Sequence, residues 1–246
     1  MTAHSPSARL RGIAALRAVY REYPQQFWIL VSSSFIDRLG GALLFPFFTL
    51  YITRKFDVGM TQAGIILGIF SISGLFSSLI GGALADRLGR KKLMIFGLVM
   101  SASSVLVMGF IERYEVFLFA AVIIGLLSDI GWPAQEAMIA DLLPEKKRAQ
   151  GYGIFRVVFN LSVVIGPILG GFLASRSYLL LFIIDAIAST VTAIIFALTI
   201  KETMKPKQAG EPQESLGGTF KGYLHVLRDS VFTWFLIATL ISVLMY

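Results

Sequence analysis

The stretch Gly81-Gly-Ala-Leu-Ala-Asp86-Arg87-Leu-Gly89-Arg90-Lys91-Lys92 places five charges in seven residues, between two long uncharged runs. The runs occupy residues 61–85 and 93–111. Crossing the hydrocarbon core of a bilayer takes ~20 apolar residues in a helix, and each run is about that long. The charged block is therefore predicted to be a tight turn between two membrane helices.

The composition of the whole chain supports a membrane protein. Of its 246 residues, 56% are hydrophobic and only 15% are charged, and the mean hydropathy is +0.74. A soluble domain carries roughly 25% charged residues. The net charge of +7 comes from cations that flank apolar runs and form no basic face, which argues against nucleic-acid binding. With no cysteine and two histidines in polar segments, the chain is predicted to bind neither a metal nor a cofactor.

The apolar runs predict an all-α membrane protein with six spans and the start of a seventh. Residues 1–26 read as an amphipathic N-terminal segment, with an organelle transit peptide as the alternative. Residues 201–229 are rich in glycine, proline and mixed charge, which is typical of a linker. Residues 230–246 are too few to cross the membrane, so we expect an incomplete seventh span and a missing C-terminal six-helix half. The six predicted spans are residues 27–52, 61–85, 93–111, 116–139, 151–174 and 178–200.

Lysine and arginine predict the orientation of the bundle. Sixteen of the 22 cations lie in the N-terminal segment, the loops after spans two and four, and the segment after span six. Four lie on the opposite side, and Arg38 and Arg156 fall within spans. The positive-inside rule then predicts a multi-pass protein of the plasma (inner) membrane with a cytoplasmic N-terminus.

An internal repeat relates the two halves of the six-span unit. When residues 64–87 are laid on residues 153–176, nine of 24 positions are identical, and the ends of the two segments read GGALADR and GGFLASR. Spans two and five cross in opposite directions, so the repeat is inverted. We therefore predict a six-helix bundle of two inverted three-helix repeats.

Charges inside the spans mark the functional centre. Asp37 and Arg38 lie near the middle of span one, where each charge costs roughly 2.5 to 3.5 kcal/mol to insert. Because neighbouring residues on a helix point about 100° apart, these two side chains need outside partners. Their positions allow Arg38 to pair with Asp129, or Asp37 to pair with Arg156. We expect these four residues to form a proton-coupling network with Asp37 as the first candidate proton carrier and Asp129 as the second.

Acidic groups outnumber basic groups within the spans. Asp37, Asp129, Glu136 and Asp185 face two arginines, and this excess suits proton uptake or a cationic substrate. Static ion pairs that fix helix register are the alternative, and Asp185 is expected to be peripheral. Span three has no charge and is expected to face lipid. The residues predicted to line an aqueous pathway are Trp132, Gln135 and Glu136 of span four and Asn160 of span five.

The charged turn also resembles a known signature. Gly82-x-x-x-Asp86-Arg87-x-Gly89-Arg90-Lys91, between spans two and three, is similar to the signature loop of the major facilitator superfamily. In that family the loop aspartate and the second arginine join an acidic residue at the end of span four, and this relay clamps the outward-open state. The resemblance implies a conformational latch made by Gly82, Asp86, Arg87, Gly89, Arg90 and Asp141.

Span five carries a second resemblance. Gly153 and the run Gly166-Pro167-x-x-Gly170-Gly171 are similar to a motif of the drug and proton antiporter branch, with Ser162 where that motif has a glycine. Glycines four residues apart also favour close helix packing, and the two interpretations are compatible.

The resemblance implies a secondary active transporter that works by alternating access. It favours proton-coupled efflux of small amphipathic or cationic compounds, with the substrate, protons and the lipid bilayer as partners. Proton-coupled transport of a sugar, organic acid or other metabolite remains open, as does a non-transporting receptor or scaffold on the same fold. An enzyme is not expected, because the sequence has no Walker-type loop and Gly151-x-Gly153 lacks a third glycine.

Overall fold

A computed structural model describes residues 17, 19–204, 218, 222, 225, 226 and 228–244 of the chain. The predictions made above for residues 1–16, 18, 205–217, 219–221, 223, 224, 227, 245 and 246 lie outside the described residues. The chain divides into two units, Met1–Met204 and Lys205–Tyr246. The helices of the first unit are α1 (Gln25–Phe56), α2 (Met60–Leu88), α3 (Arg90–Phe110), α4 (Tyr114–Ser128), α5 (Trp132–Leu142), α6 (Glu145–Ala174) and α7 (Tyr178–Thr199).

The prediction of an all-α six-span protein is confirmed. Six helical segments are long and apolar enough to cross a membrane, and they coincide with the six predicted spans. The helices extend up to six residues beyond the apolar runs, as at the start of α6. There Pro144 precedes the helix and Glu145 lies in its first turn, where the helix dipole favours a negative charge.

Span four is broken, which the sequence analysis did not predict. It consists of α4 and α5, separated by a turn at residues 129–131. Pro133 has no backbone N–H to donate to the carbonyl of Asp129, and its ring would crowd that carbonyl. The amide of Trp132 donates to the Asp129 oxygen instead, at 3.0 Å. The break also brings Gly131 against Gly97 of span three, where a Cβ would lie 2.8 Å from the Gly131 nitrogen.

The packing of the helices follows the inverted repeat. Span one packs mainly on spans five and six, span four on spans two and three, and span three on span six. Exchanging spans one, two and three for spans four, five and six leaves this set of neighbours unchanged. Two equivalent glycines show the same symmetry: a Cβ at Gly81 would collide with the Ile130 carbonyl of span four, and a Cβ at Gly170 with the Leu43 carbonyl of span one.

Buried apolar side chains form two clusters, one toward each end of the bundle. The first cluster includes Phe27, Leu30 and Val31 of span one, and the second begins at Leu43 of the same span. Tyr51 ties the second cluster together because its hydroxyl donates to the Met108 carbonyl at 3.0 Å. The segment of span one between the clusters carries the charges, so the polar centre of the bundle lies between two apolar layers.

The second unit contains α8 (Ser230–Leu244), at the position expected for the seventh span. Its first turn is capped by Asp229, whose carboxylate accepts from the amides of Val231 at 2.9 Å and Phe232 at 3.3 Å. This capping supplies acceptors for two of the amides that a helix start leaves unpaired.

Candidate functional site

A cavity of about 480 Å³ lies at the polar centre of the first unit. Residues of spans one, three, four, five and six line it. Its charged residues are Asp37, Arg38, Asp129 and Asp185, and aromatic rings such as Trp132 complete its walls. The volume is in the range of small-molecule sites, and apolar walls with a few polar groups are typical of such sites.

Asp37 finds its partner on span six. The Ser189 hydroxyl donates to Oδ1 of Asp37 at 2.8 Å. One turn away, the Thr192 hydroxyl donates to the Ser33 carbonyl at 3.1 Å. In the other direction Asp185 lies against the backbone of Gly40, where a Cβ would be 2.7 Å from its Oδ1. These contacts form a polar ladder between spans one and six, and it brings Asp185 into the cavity wall rather than to the periphery.

Arg38 rests on an aromatic ring. Its guanidinium carbon lies 4.0 Å from the centroid of Trp132, in a cation–π contact. Asp37, Asp129, Glu136 and Asp185 all lie within electrostatic reach of this guanidinium. Among the described residues, however, no carboxylate forms an ion pair with Arg38. The direct pair with Asp129 that the sequence allowed is therefore absent from this part of the chain.

Asp129 is placed by the break in span four. It follows the last residue of α4, and its Oδ2 faces Gly74 of span two, where a Cβ would lie 3.3 Å away. The carbonyl groups of an ended helix carry partial negative charge. The C-terminus of α4 therefore adds partial negative charge next to Asp129.

Several predicted site residues lie elsewhere. Arg156 and Asn160 occupy an exposed face of span five and do not line the cavity, so the pair of Asp37 with Arg156 does not form either. Glu136 is half-buried next to the cavity, and its carbonyl accepts from the Tyr152 hydroxyl at 3.0 Å. Trp132 and Gln135 line it. Span three was expected to face lipid, but one face of it lines the cavity with Met94, Gly97, Leu98 and Ser101.

The charged turn forms a compact ion-pair network. Arg90 contacts Oδ1 of Asp86 at 3.0 Å, and its Nε lies 3.2 Å from Oδ2 of Asp141 at the end of span four. The Nε contact lacks hydrogen-bond geometry, so it is an ion pair only. A further nitrogen of Arg90 donates to the Ala85 carbonyl at 3.1 Å. The structure thus brings together Asp86, Arg90 and Asp141, the three residues that the resemblance joined.

Glu202, just after span six, belongs to the same network and was missed in the sequence. Its carboxylate accepts from the amides of Arg90 at 3.0 Å and Lys91 at 3.2 Å, at the start of α3. The next residue, Thr203, donates its hydroxyl to Asp141 at 3.1 Å. The available signal was an acid that follows an apolar span directly, but nothing in the sequence tied it to a turn 112 residues away.

Gly89 allows Glu202 to reach these amides. Its φ of 95° and ψ of 151° define a conformation open essentially to glycine alone. A Cβ at this position would also collide with the carboxylate of Glu202. Gly82 is half-buried on α2, a little over two turns before Arg90. Arg87 is exposed and lies three residues before Arg90.

Comparison with known proteins identifies the family. The profile of the Major Facilitator Superfamily matches residues 30–246. The chain belongs to the Major Facilitator Superfamily. This result confirms the resemblance seen in the charged turn and agrees with the expectation that the chain is not an enzyme.

Two curated relatives match the chain over about half of their own length. The Na(+), Li(+), K(+)/H(+) antiporter of Planococcus maritimus is 30% identical over 215 residues, which cover 81% of this chain and 50% of the relative. The quinolone resistance protein NorA of Staphylococcus aureus is 27% identical over 195 residues, which cover 77% of this chain and 50% of the relative. The chain therefore spans about half the length of these superfamily members.

Solved structures share the fold. A peptide transporter of the POT type in complex with sulfate has a TM-score of 0.67 at 19% identity. The match covers 90% of this chain and 46% of that transporter. The human organic anion transporter MFSD10 has a TM-score of 0.59 at 21% identity. The match covers 73% of this chain and 49% of that transporter. At these identities the likeness concerns the fold alone.

The span-five motif of this superfamily member is a packing surface. A Cβ at Gly166 would lie 2.5 Å from that of Ala42, and Gly170 is pressed against Leu43. Pro167 lines the cavity. Gly171 has only ordinary contacts with Phe47, and a Cβ at Gly153 would meet nothing within 4 Å. Two of the four glycines therefore set the approach of spans one and five.

Proposed function

We propose that the chain is the N-terminal half of a secondary transporter that exports small amphipathic or cationic compounds in exchange for protons. The observation that carries the proposal is the charge of the cavity. Asp37, Asp129 and Asp185 line it against the single guanidinium of Arg38, which leaves an excess of negative charge beside aromatic walls. Such a site attracts cations and can hold protons.

The names of the two curated relatives support this proposal. One is named as an antiporter of sodium, lithium and potassium ions against protons, and the other as a quinolone resistance protein. The first name states exchange of monovalent cations for protons, and the second states resistance to a class of small drug molecules. An acidic cavity disfavours an anionic substrate such as an organic acid, and transport of a sugar or other neutral metabolite stays an alternative.

The transporter is proposed to work by alternating access, with the basic end of the bundle in the cytoplasm. This basic end is the side that holds the N-terminal segment, the loops after spans two and four, and the segment after span six. The network of Asp86, Arg90 and Asp141 lies at this end and joins the turn after span two to span four. A latch of this kind is made in one state and broken in the other. Its closed form here corresponds to a transporter whose cytoplasmic side is shut.

A second six-span half is the proposed partner. The exposed face of span five, including Arg156 and Asn160, and the open side of the cavity are then the surfaces that meet it. We call the chain together with this second half the complete transporter. The lipid bilayer of the plasma (inner) membrane surrounds the assembly.

Asp37→Asn tests the role of the cavity charge. In everted vesicles that contain the complete transporter, addition of a lipophilic cation should collapse a pre-formed pH gradient, and the variant should abolish this response while inserting normally. Glu115→Gln is the matched control, because Glu115 is an exposed acid paired with Arg113 at 3.7 Å and does not line the cavity. Undiminished proton-driven flux in the Asp37 variant would contradict the proposal.

Exchange of a metal cation for protons, without drug export, is the second candidate function. The Planococcus relative and the acidic cavity favour it. The same vesicles distinguish the two, since sodium or potassium ions would then collapse the gradient and lipophilic cations would not. A complete transporter that moved no solute and no ion in liposomes would instead favour a receptor or scaffold.

A further inference from the structure

We propose that the polar ladder between spans one and six contains a binding site for one alkali metal ion. Its ligands are the carboxylates of Asp37 and Asp185 and the hydroxyls of Ser34 and Ser189. The ion and a proton would occupy this site alternately. This inference deepens the proposed function, because it rests on proton-coupled exchange and names where the coupling ion binds.

The ladder brings the two carboxylates to one place. Ser189 donates to Asp37 at 2.8 Å, and Asp185 lies one turn from Ser189 on the same face of span six. Asp185 in turn lies against Gly40, one turn from Asp37 on span one. Both acids also line the cavity, so an ion can reach them from it.

The hydroxyl of Ser34 is available as a ligand. Its side chain is in the cavity wall and the residue is only 3% exposed, yet its hydroxyl has no hydrogen-bond partner among the described residues. It is three residues before Asp37 and shares a helix face with it. Leaving a buried hydroxyl unpaired is unfavourable, and serines in helices ordinarily bond the carbonyl four residues back, as Ser32 does with Trp28 at 2.8 Å. An ion in the ladder would be coordinated by this unpaired oxygen of Ser34.

Asp185 is similarly unsatisfied. The residue is 6% exposed, and within the described part of the chain its carboxylate accepts no hydrogen bond. A buried carboxylate requires a positive charge, a proton or donors to remain in the membrane interior. Arg38 is the cation in electrostatic reach, but its guanidinium is stacked on Trp132. The site therefore has room for a second positive charge.

The charge balance selects a monovalent ion. Asp37 and Asp185 carry two negative charges, Arg38 offsets one, and a single alkali ion or a single proton offsets the other. Asp129 and Glu136 are the other charged groups within reach of Arg38, and they act on the site from span four. The described residues hold no group of three or more acidic, histidine or cysteine side chains suited to a metal ion, which disfavours a divalent cation. Oxygen ligands without sulfur or imidazole suit a hard ion such as sodium or lithium.

Calorimetric titration of the purified complete transporter tests the site. Sodium, lithium and potassium chlorides are titrated separately at alkaline pH, with choline chloride holding the ionic strength constant. We expect saturable binding of at least one alkali ion, and weaker binding as the pH is lowered. Asp185→Asn should reduce the affinity by tenfold or more, and Ser34→Ala by about fivefold, the effect of losing one neutral ligand.

Ser32→Ala is the matched control, since it removes a hydroxyl from the same helix outside the site and should leave the affinity unchanged. Thermal unfolding shows whether each variant is folded. If Asp185→Asn does not fold, the affinity of Ser34→Ala for alkali ions tests the site instead. Wild-type protein that binds no alkali ion would overturn the proposal, as would equal affinities in the Ser34 and Ser32 variants. Ion binding without drug export would refute the proposed efflux function and leave the site standing.

Discussion

The two acids of the latch should differ in importance, and removing each charge in turn tests this. Asp86→Asn and Asp141→Asn each delete one carboxylate charge next to Arg90 and preserve the size of the side chain. Arg90 remains held by the Ala85 carbonyl at 3.1 Å in both variants. Any difference between the variants therefore reports on the contacts that each carboxylate makes.

Burial determines the expected sizes. The side chain of Asp86 is 69% exposed and lies four residues from Arg90, so the pair is worth about 0.3 to 0.5 kcal/mol. The Arg90 and Asp141 side chains are 15% and 32% exposed, and their pair joins separate spans. Thr203 also donates to Asp141, and together these contacts are worth about 1 to 1.4 kcal/mol. The ratio of closed to open basic ends should therefore fall about twofold in Asp86→Asn and about five- to tenfold in Asp141→Asn.

Because this chain has no cysteine, the populations become measurable once any cysteines of the second half are replaced by serine. Ser128→Cys places one thiol in the cavity wall at the end of α4 with little change in volume. A charged, membrane-impermeant thiol reagent is added from either side of oriented vesicles that hold the complete transporter. Opening of the basic end should speed labelling from that side and slow it from the other, and the ratio of rates reports the population shift.

Equal shifts in the two variants would refute the assignment of Asp141 as the main acid of the latch. No shift in either would show that the network is static. High salt provides a further check, because it screens the exposed Asp86 pair more than the partly buried Asp141 pair. The effect of Asp86→Asn should therefore fade with salt while that of Asp141→Asn persists.

Three further outcomes follow from close contacts. Gly170→Ala should destabilise the bundle by about 1 to 3 kcal/mol, because the added Cβ would meet the Leu43 carbonyl. Gly171→Ala should be nearly neutral, because its Cβ would make only ordinary contacts. Thermal unfolding in detergent measures both effects. Glu202→Gln should weaken the start of α3 by about 0.3 to 1 kcal/mol through loss of charge at a helix N-terminus, and the Ser128 thiol assay should show partial opening. Gly89→Ala should open the basic end more than Glu202→Gln does in the same assay, because the added Cβ strains the backbone and displaces the Glu202 carboxylate.

Most of the fold could be predicted because hydrophobic length is nearly sufficient to place a membrane helix. All six spans lie where the apolar runs lie, since the backbone must satisfy its own hydrogen bonds in lipid. The break in span four escaped prediction although Gly131 and Pro133 mark it, because the apolar run continues through both residues. The repeat also means that a packing contact in one half has a counterpart in the other, as Gly81 and Gly170 illustrate.

The site was only partly predictable, because partners of buried charges need not be charged. A search for acids and bases at matching depth suggested Asp129 for Arg38 and Arg156 for Asp37. The structure instead gives Asp37 a hydroxyl from Ser189, and Arg38 an aromatic ring. Neither a serine nor a tryptophan is distinctive in an apolar span, and which helix faces meet is decided by packing. The latch was predictable because its residues form a motif close together in sequence, apart from Asp141.

The inverted repeat makes the one-sided latch consequential. Ser175 stands where the repeat places Asp86, and its hydroxyl donates to its own helix, to the Phe172 carbonyl at 2.8 Å. Arg176, the equivalent of Arg87, packs over the Phe172 ring at 5.4 Å. A fold with two equivalent halves would by itself favour neither end of the bundle. Among the described residues, ion pairs that join separate spans lie at the basic end, whereas the Arg113–Glu115 pair at the opposite end joins neighbours in the chain. The bridging pairs therefore supply a free-energy difference between closure of the basic end and closure of the opposite end. Ser175→Asp alone should not make closure of the two ends equally favourable, because Leu179 stands where the repeat would need the second arginine. Ser175→Asp with Leu179→Arg should move the Ser128 thiol assay toward closure of the opposite end, and an unchanged labelling ratio in a folded double variant would show that the asymmetry arises elsewhere.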